Sequence, residues 1–340
     1  MPTRPVTLAI VGATGLAGRA ALELLPEGVR DPAERRRLAA GRAREEGERL
    51  EYLDDELPVK PVSQSAFQGA DVALFFVPPA VAREWAPRAW AEGCAVVDAS
   101  SAFQADPEVP LVWANALEAA DGYRARGLVS VATGPAALLA PVLAPLAREA
   151  GLREVVATVL SPAAGAGTPG IVQLETEAGD LMNGREPEPG VAIPHRLAYN
   201  VVPQAGSFLP DGRTDEEAAV EIVLRRLLGA PALRAATTTL RVPVFYGLSV
   251  AARVGLQRPL AADAVRAALR GAPGVKLVDD PGARVYPMPM LSMNDDAVLA
   301  GRVRVDEAAQ AVDLVGTADD LRHAVGTALR AAERIAAARG

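Results

Sequence analysis

Gly12-Ala13-Thr14-Gly15-Leu16-Ala17-Gly18 follows directly on the apolar run Val6-Thr7-Leu8-Ala9-Ile10-Val11. Apolar runs of this length fit a parallel strand buried on both faces. Glycines at its end let the backbone come close to a diphosphate. The helix that begins there offers unpaired N–H groups and a partial positive charge to the anion. The chemistry this predicts is dinucleotide binding. The spacing is GxxGxxG rather than GxGxxG, so the same glycines would also serve tight packing of strand on helix.

Groups able to attack a substrate or move a proton are sparse. Cys94 is the sole cysteine and begins a buried apolar strand, where a thiol is usually an inert small hydrophobe. His195 and His323 are the two histidines. The first reads as a packed or surface side chain, and the second lies on the last helix. Thr133 and Ser161 carry hydroxyls with no histidine near them in sequence, and an unassisted hydroxyl is a poor nucleophile at neutral pH. No Ser–His–Asp arrangement is visible.

The elements that would position these groups alternate. Arg19 to Leu25 reads as a helix ended by Pro26. Val72–Val77 and Ala95–Asp98 read as strands, with a helix from Ala80 to Glu92 between them. Trp85 and Trp90 on that helix read as packing residues. Leu128–Ala132 is a further strand, followed by a helix from Ala137 to Ala150. Strands alternating with helices imply a parallel sheet with right-handed crossovers. Ligands on such sheets sit beyond the carboxyl ends of the strands, where Gly12–Gly18, Val77–Ala80, Ser100-Ser101 and Thr133–Ala136 all fall.

Past residue 151 the pattern changes. Val155–Leu160, Leu240–Phe245 and Leu299–Val305 read as strands, and the last alternates like a half-exposed antiparallel one. Thr168-Pro169 reads as a helix cap with a first-turn proline, ahead of Ile171, Leu174, Ala178 and Leu181 on one face. Asn183-Gly184 ends that helix. Thr214 with Glu217 predicts a capping box, for a helix that carries Ile222, Leu224 and Leu228 and stops at Gly229. A final helix starts near Asp319 or Asp320 and repeats Leu321, Val325, Leu329 and Ala332.

Composition excludes several classes. The chain has 340 residues, 50% of them hydrophobic, which is enough for two cores. A single cysteine allows no internal disulfide and no cysteine-cluster metal site, and two histidines cannot build a histidine-rich one. Lysine occurs only at Lys60 and Lys276, and the net charge is −7 without a basic block, so nucleic acid is not an expected partner. No apolar stretch is long enough to span a bilayer, and Met1-Pro2-Thr3-Arg4-Pro5 does not resemble a signal peptide. A cytoplasmic protein is expected.

Six segments in order carry a resemblance to a known family. Ala9–Gly18 and the stretch Gly93-Cys94-Ala95-Val96-Val97-Asp98-Ala99-Ser100-Ser101-Ala102-Phe103 resemble aspartate-β-semialdehyde dehydrogenases. So do Ala164-Gly165-Ala166-Gly167, Tyr199–Gln204, Arg241-Val242-Pro243-Val244 and the helix opened by Asp320-Leu321-Arg322. The resemblance implies a Rossmann-like parallel-sheet domain plus a second α+β domain with a mixed, largely antiparallel sheet. The expected boundaries are 1–132, with the helix 318–340 packing back on it, and 133–317.

The resemblance also implies NADP as cofactor, with NAD not excluded, and a homodimer formed through the second domain. Cofactor contacts fall on Gly12, Ala13, Thr14, Gly15, Leu16, Ala17 and Ser101. Leu38-Ala39-Ala40-Gly41-Arg42 is similar to the loop that meets the ribose phosphate, so Arg42 joins that set, although it also fits a solvated arginine-rich helix. Arg241 falls where the family clamps the substrate carboxylate, and Glu216 where it meets the amino group. Arg241 would equally suit an ion pair on a strand, and Glu216 is also what any helix favours in its first turn.

The chemistry that the resemblance implies needs residues this chain does not have. A cysteine thiolate attacks the aldehyde, a hydride passes to NADP, phosphate releases the thioester, and a histidine moves the proton. The cysteine's position in Val131-Ala132-Thr133-Gly134-Pro135-Ala136-Ala137-Leu138 is Ala136, and the histidine's is Leu248. The orienting glutamine is Ser161, the phosphate-binding arginine is Gln104, and the lysine of the capped helix is Ala219. The asparagine of the nucleophile turn is Thr133, and a Gly-Gly pair is Pro78-Pro79. The expectation is therefore an NADP-binding relative that has lost phosphorylating dehydrogenation and serves a regulatory or partner-binding role. The alternative is an active enzyme with other chemistry, such as hydride transfer to a carbonyl held by Arg241.

Overall fold

The computed structural model describes residues 6–28, 37–41, 49–52, 55–114 and 116–339, which divide into two compact units. The first comprises residues 1–133 with 321–340, and the second residues 134–320.

In the first unit the apolar run becomes β1 (Leu8–Val11), every residue of it buried. Helix α1 (Leu16–Gly28) follows, then β2 (Arg37–Gly41), β3 (Arg49–Tyr52), β4 (Asp55–Pro61) and β5 (Val72–Phe75). Next come α2 (Pro79–Ala91), β6 (Ala95–Asp98), β7 (Leu111–Val112) and β8 (Leu128–Val131). The strands form one sheet in the order β3-β4-β2-β1-β5-β6-β8-β7. Each pair is parallel except β3 with β4. The order reverses at β1, whose neighbours are β2 and β5, and a crevice opens above such a switch point. Leu8, Ile10, Leu74, Val97 and Val129 face one core, and Ala9, Val11, Ala73, Phe75 and Val96 face the other. This period-2 alternation, with both sides apolar, is why the strands read as continuous hydrophobic runs.

The second unit begins with α3 (Gly134–Ala150), β9 (Leu152–Ser161), α4 (Gly167–Met182), α5 (Asp215–Leu228), β10 (Arg234–Arg241) and β11 (Leu248–Leu256). It continues through α6 (Ala262–Arg270), β12 (Val275–Leu277), α7 (Pro289–Ser292), β13 (Val298–Asp306) and β14 (Ala311–Ala318). Its sheet runs β10-β9-β11-β14-β13-β12, with β10/β9 and β12/β13 parallel and the other pairs antiparallel. Helix α3 covers one face of this sheet, while Val156, Thr158, Ala251 and Arg253 on the other face are exposed. The chain then enters α8 (Asp320–Arg339), which buries Ala328, Ala331, Ala332 and Ile335 in the first unit's core.

Several local expectations need correction. Helix α1 continues through Pro26 to Gly28, and Pro87, Pro141 and Pro145 also sit inside helices. A mid-helix proline costs about 3 kcal/mol. In α3 nearly the whole surface is buried, so packing outweighs that cost. Leu240–Phe245 is not a strand: β10 ends at Arg241, because Pro243 has no N–H for a ladder. Thr168 does not cap α4, whose N-cap is Ala166 without a side-chain bond. Ile222 is exposed, and α5 buries Val220, Val223 and Leu224 instead. Arg37–Gly41 is a strand rather than a loop or helix, and Arg42 lies outside the described residues. The capping box holds: the Thr214 hydroxyl accepts from Glu217 N at 3.2 Å, and Glu217 accepts from Thr214 N at 2.8 Å. Among the described residues no helix is long and apolar enough to cross a membrane.

Candidate nucleotide and acid-binding sites

In the first unit the turn from β1 to α1 has little freedom. Gly12 has φ +89°, and a Cβ there would lie 2.2 Å from Phe76 O. At Gly18 a Cβ would lie 2.2 Å from Gly12 O. Both glycines are therefore required by close backbone approach, which draws the helix start down onto the end of β1. Ala13 is fully buried, Thr14, Leu16 and Ala17 are half-buried, and Gly15 is exposed. The turn leaves the start of α1 with the N–H cradle that a diphosphate needs, so the residues present fit that part of a dinucleotide. Ser101 is exposed in the bend after β6, at the same end of the sheet.

Beyond the switch point the strand ends are closed on themselves. Asp98, at the end of β6, is fully buried, and its Oδ1 accepts from Ser100 N at 3.1 Å. Burial pushes its carboxyl up to about 6, against the pull of the Ser100 bonds. Ser100 Oγ accepts from Ala102 N at 3.1 Å. Gln104, only 5% exposed, donates from Nε2 to Val131 O at 2.9 Å and to Thr133 Oγ1 at 2.7 Å, with a longer contact to Ser100 O. Cys94 is fully buried against Phe67 O and Ala70 O, and burial raises its thiol to about 11, so it is no thiolate at neutral pH.

In the second unit Arg241, at the end of β10, is 5% exposed. Its Nη1 donates to Ser161 Oγ at 2.7 Å and to Pro162 O at 2.8 Å, while Nε is buried with no hydrogen-bond partner. Gly165 makes the space: a Cβ there would lie 2.3 Å from Nη1 and 2.9 Å from Ser161 Oγ. Two carboxylates act on the guanidinium. Burial raises Glu216, and the nearby Arg241 charge opposes that rise. Burial also lifts Asp320 to about 6, although its carboxylate accepts from its own N–H and from that of Leu248. Arg241 is in turn pulled down by burial and held up by Glu216 and then Asp320. A buried guanidinium with one side anchored and a donor left over is suited to a carboxylate ligand.

The structure brings Arg241 and Glu216 together. Asp320 and Ser161 join them, and neither was singled out for that role in the sequence. Asp320 read only as the start of a helix. The signal for Ser161 was its spacing from Gly165. Ala136 lies in the first turn of α3 and Leu248 at the start of β11, each 2% exposed. His195 is exposed, and His323 is buried in α8. Among the described residues no cluster suited to a metal ion occurs.

A nucleotide-type parallel sheet and a mixed-sheet unit in one chain define a class of dehydrogenase fold. Residues 7–120 match the semialdehyde dehydrogenase NAD binding domain, and residues 143–323 the semialdehyde dehydrogenase dimerisation domain. The chain belongs to the semialdehyde dehydrogenase family. It is 32% identical to aspartate-semialdehyde dehydrogenase of Aquifex aeolicus over 323 residues, covering 94% of each chain. It is also 32% identical to the Legionella pneumophila enzyme of that name, over 89% of this chain and 87% of that one. The crystal structure of aspartate semialdehyde dehydrogenase II from Vibrio cholerae superposes with a TM-score of 0.89 at 27% identity, covering 97% of this chain and 98% of that one.

Proposed function

We propose that the protein binds a nicotinamide dinucleotide, NADP in the first instance, and a small carboxylate, but does not catalyse phosphate-dependent oxidation of aspartate semialdehyde. The observation that carries this reading is the Gln104–Thr133 hydrogen bond of 2.7 Å. By the family resemblance these positions belong to the phosphate-binding arginine and to the asparagine of the nucleophile turn. Here one neutral amide and one hydroxyl satisfy each other, so the anion-binding charge is gone and the polar groups left behind are paired. Ser161 follows the same pattern, since its hydroxyl is engaged by Arg241 rather than by a base.

Each remaining group has a binding role. The Gly12–Gly18 turn would hold the diphosphate, with Ser101 and Arg42 as further contacts. Arg241 would take the ligand's carboxylate on its unpaired donors, and Glu216 an ammonium. Ala136 supplies no nucleophile and Leu248 no base. When bound, the cofactor would supply hydride chemistry. This chain's residues supply no acid, base or covalent step for it, which fits a regulatory or partner-binding role. Absorbance of NADPH should therefore stay at background with aspartate semialdehyde, phosphate and NADP. Turnover surviving Cys94→Ala would overturn the reading.

The same reading makes the protein a cytoplasmic homodimer. Val156 and Ala251 on the uncovered sheet face, with exposed Val172, Tyr199 and Phe208, present apolar surface that a second copy would cover. Light scattering is expected to give about twice the 35.3 kDa chain mass. A monomer at micromolar concentration would contradict the assembly.

A further inference from the structure

We infer that the nucleotide site is built for the ADP-ribosyl portion of a dinucleotide and gains nothing from the nicotinamide ring. This rests on the reading that the Gly12–Gly18 turn binds a nucleotide, and it follows from an asymmetry about the switch point of the first sheet.

A dinucleotide on such a sheet uses two mononucleotide halves. The adenosine ribose lies toward the strand after the first helix, and the other half lies over the strands beyond the switch point. On the first side the N–H cradle at the start of α1 is kept, and both Gly12 and Gly18 are needed for its shape. On the second side, polar groups at three successive strand ends are missing or already engaged. After β5, helix α2 has Pro78 as N-cap and Pro79 at its first position, with no side-chain cap. Neither residue carries an N–H, so two of the donors a helix start ordinarily offers are missing. Pro78 is exposed at the entry of that helix.

After β6, the amides of Ser100 and Ala102 are consumed by Asp98 Oδ1 and Ser100 Oγ. After β8, Val131 O and Thr133 Oγ1 are taken by Gln104 Nε2. Gln104 thereby ties the loop after β6 to the end of β8. A carboxamide and ribose placed over these strands would find few open partners, and entering would break bonds already made. Leaving a buried polar group unpaired is costly, so the ring half gains no more there than in solvent.

Isothermal titration calorimetry on the whole chain separates the possibilities. The probes are NADP, 2′-phospho-ADP-ribose, NAD, ADP-ribose and nicotinamide mononucleotide. Each dinucleotide and its ring-less counterpart are expected to bind with dissociation constants within about threefold of each other, which is under ~0.7 kcal/mol. Nicotinamide mononucleotide is expected not to bind at millimolar concentration. A dinucleotide that binds tenfold or more tightly than its ring-less counterpart would overturn the inference while leaving nucleotide binding intact. Silence from all five probes would instead remove the nucleotide reading on which it rests. Pro78→Gly combined with Pro79→Gly restores two N–H groups. It is expected to tighten NADP at least tenfold while leaving 2′-phospho-ADP-ribose unchanged. Equal changes for both would also count against it. The comparison on the unmodified protein stands whether or not this variant folds.

Discussion

Ala136→Cys alone is expected to give a protein whose new thiol alkylates slowly and which still fails to reduce NADP with aspartate semialdehyde and phosphate. The helix N-terminus at this position would favour a thiolate, so the nucleophile itself is not the whole deficit. Ala136 is 2% exposed, which limits access to any side chain placed there. Beyond it, the position that the resemblance gives to a base is the buried Leu248, the Ser161 hydroxyl is bonded to Arg241, and the Gln104 amide is bonded to Thr133. A missing general base alone costs about two to four orders of magnitude in rate. The expected rate is therefore at least about a thousandfold below that of an active relative such as the Legionella pneumophila enzyme. A rate within tenfold of that enzyme would mean that a base and a phosphate site have been overlooked. Iodoacetamide labelling, read by mass, checks separately that the thiol is present and reachable.

Arg241→Leu is expected to lower the stability of the second unit by about 3 kcal/mol or more, because breaking a buried charge cluster by removing one member is strongly destabilising. The substitution leaves Ser161 Oγ and Pro162 O without their donor, and it removes the positive charge that acts on Glu216. Asp320, near Glu216, would lose the same counter-charge. For a unit of this size each kcal/mol is worth about 2–4 °C, so the melting temperature should fall by roughly 6–12 °C. Arg241→Lys retains the charge but not the two-bonded planar fork, and it should fall between the two. Calorimetry checks this. A Leu variant melting within about 2 °C of the parent would mean that Arg241 contributes no net stability, as happens for exposed pairs.

The parts legible in the sequence are those determined by near neighbours. The β1–glycine–α1 turn and the Thr214/Glu217 capping box depend on contacts within a few residues, and β5, β6 and β8 show as short continuous apolar runs although their partner strands are distant in the chain. Strands β3 and β4 carried no readable pattern, because β4 contains Pro58 and Pro61 and β3 is a four-residue edge with alternate positions exposed. Relative to the expected Leu240–Phe245, β10 starts six residues and ends four residues earlier, because Leu240, Val242, Val244 and Phe245 are apolar while most of the strand, Arg-Ala-Ala-Thr-Thr-Thr-Leu-Arg, is not.

The site divided along the same line. Arg241 and Glu216 were found through the family pattern. Asp320 was not, since it reaches the guanidinium only after β11 and β14 pair, with Leu248 opposite Ala318. The Gln104–Thr133 bond spans 29 residues and could be suspected only because both positions depart from the family together.

In the proposed function this fold keeps its binding sites and has no chemistry to perform with them. Single-turnover stopped flow tests it most directly, with the protein in excess over NADP and with saturating aspartate semialdehyde and phosphate. Under these conditions slow product release or a low turnover rate cannot hide hydride transfer. The expected trace is flat at the NADPH absorbance, although equilibrium dialysis of the same sample finds the nucleotide bound. A burst approaching one equivalent of NADPH per NADP would contradict the account.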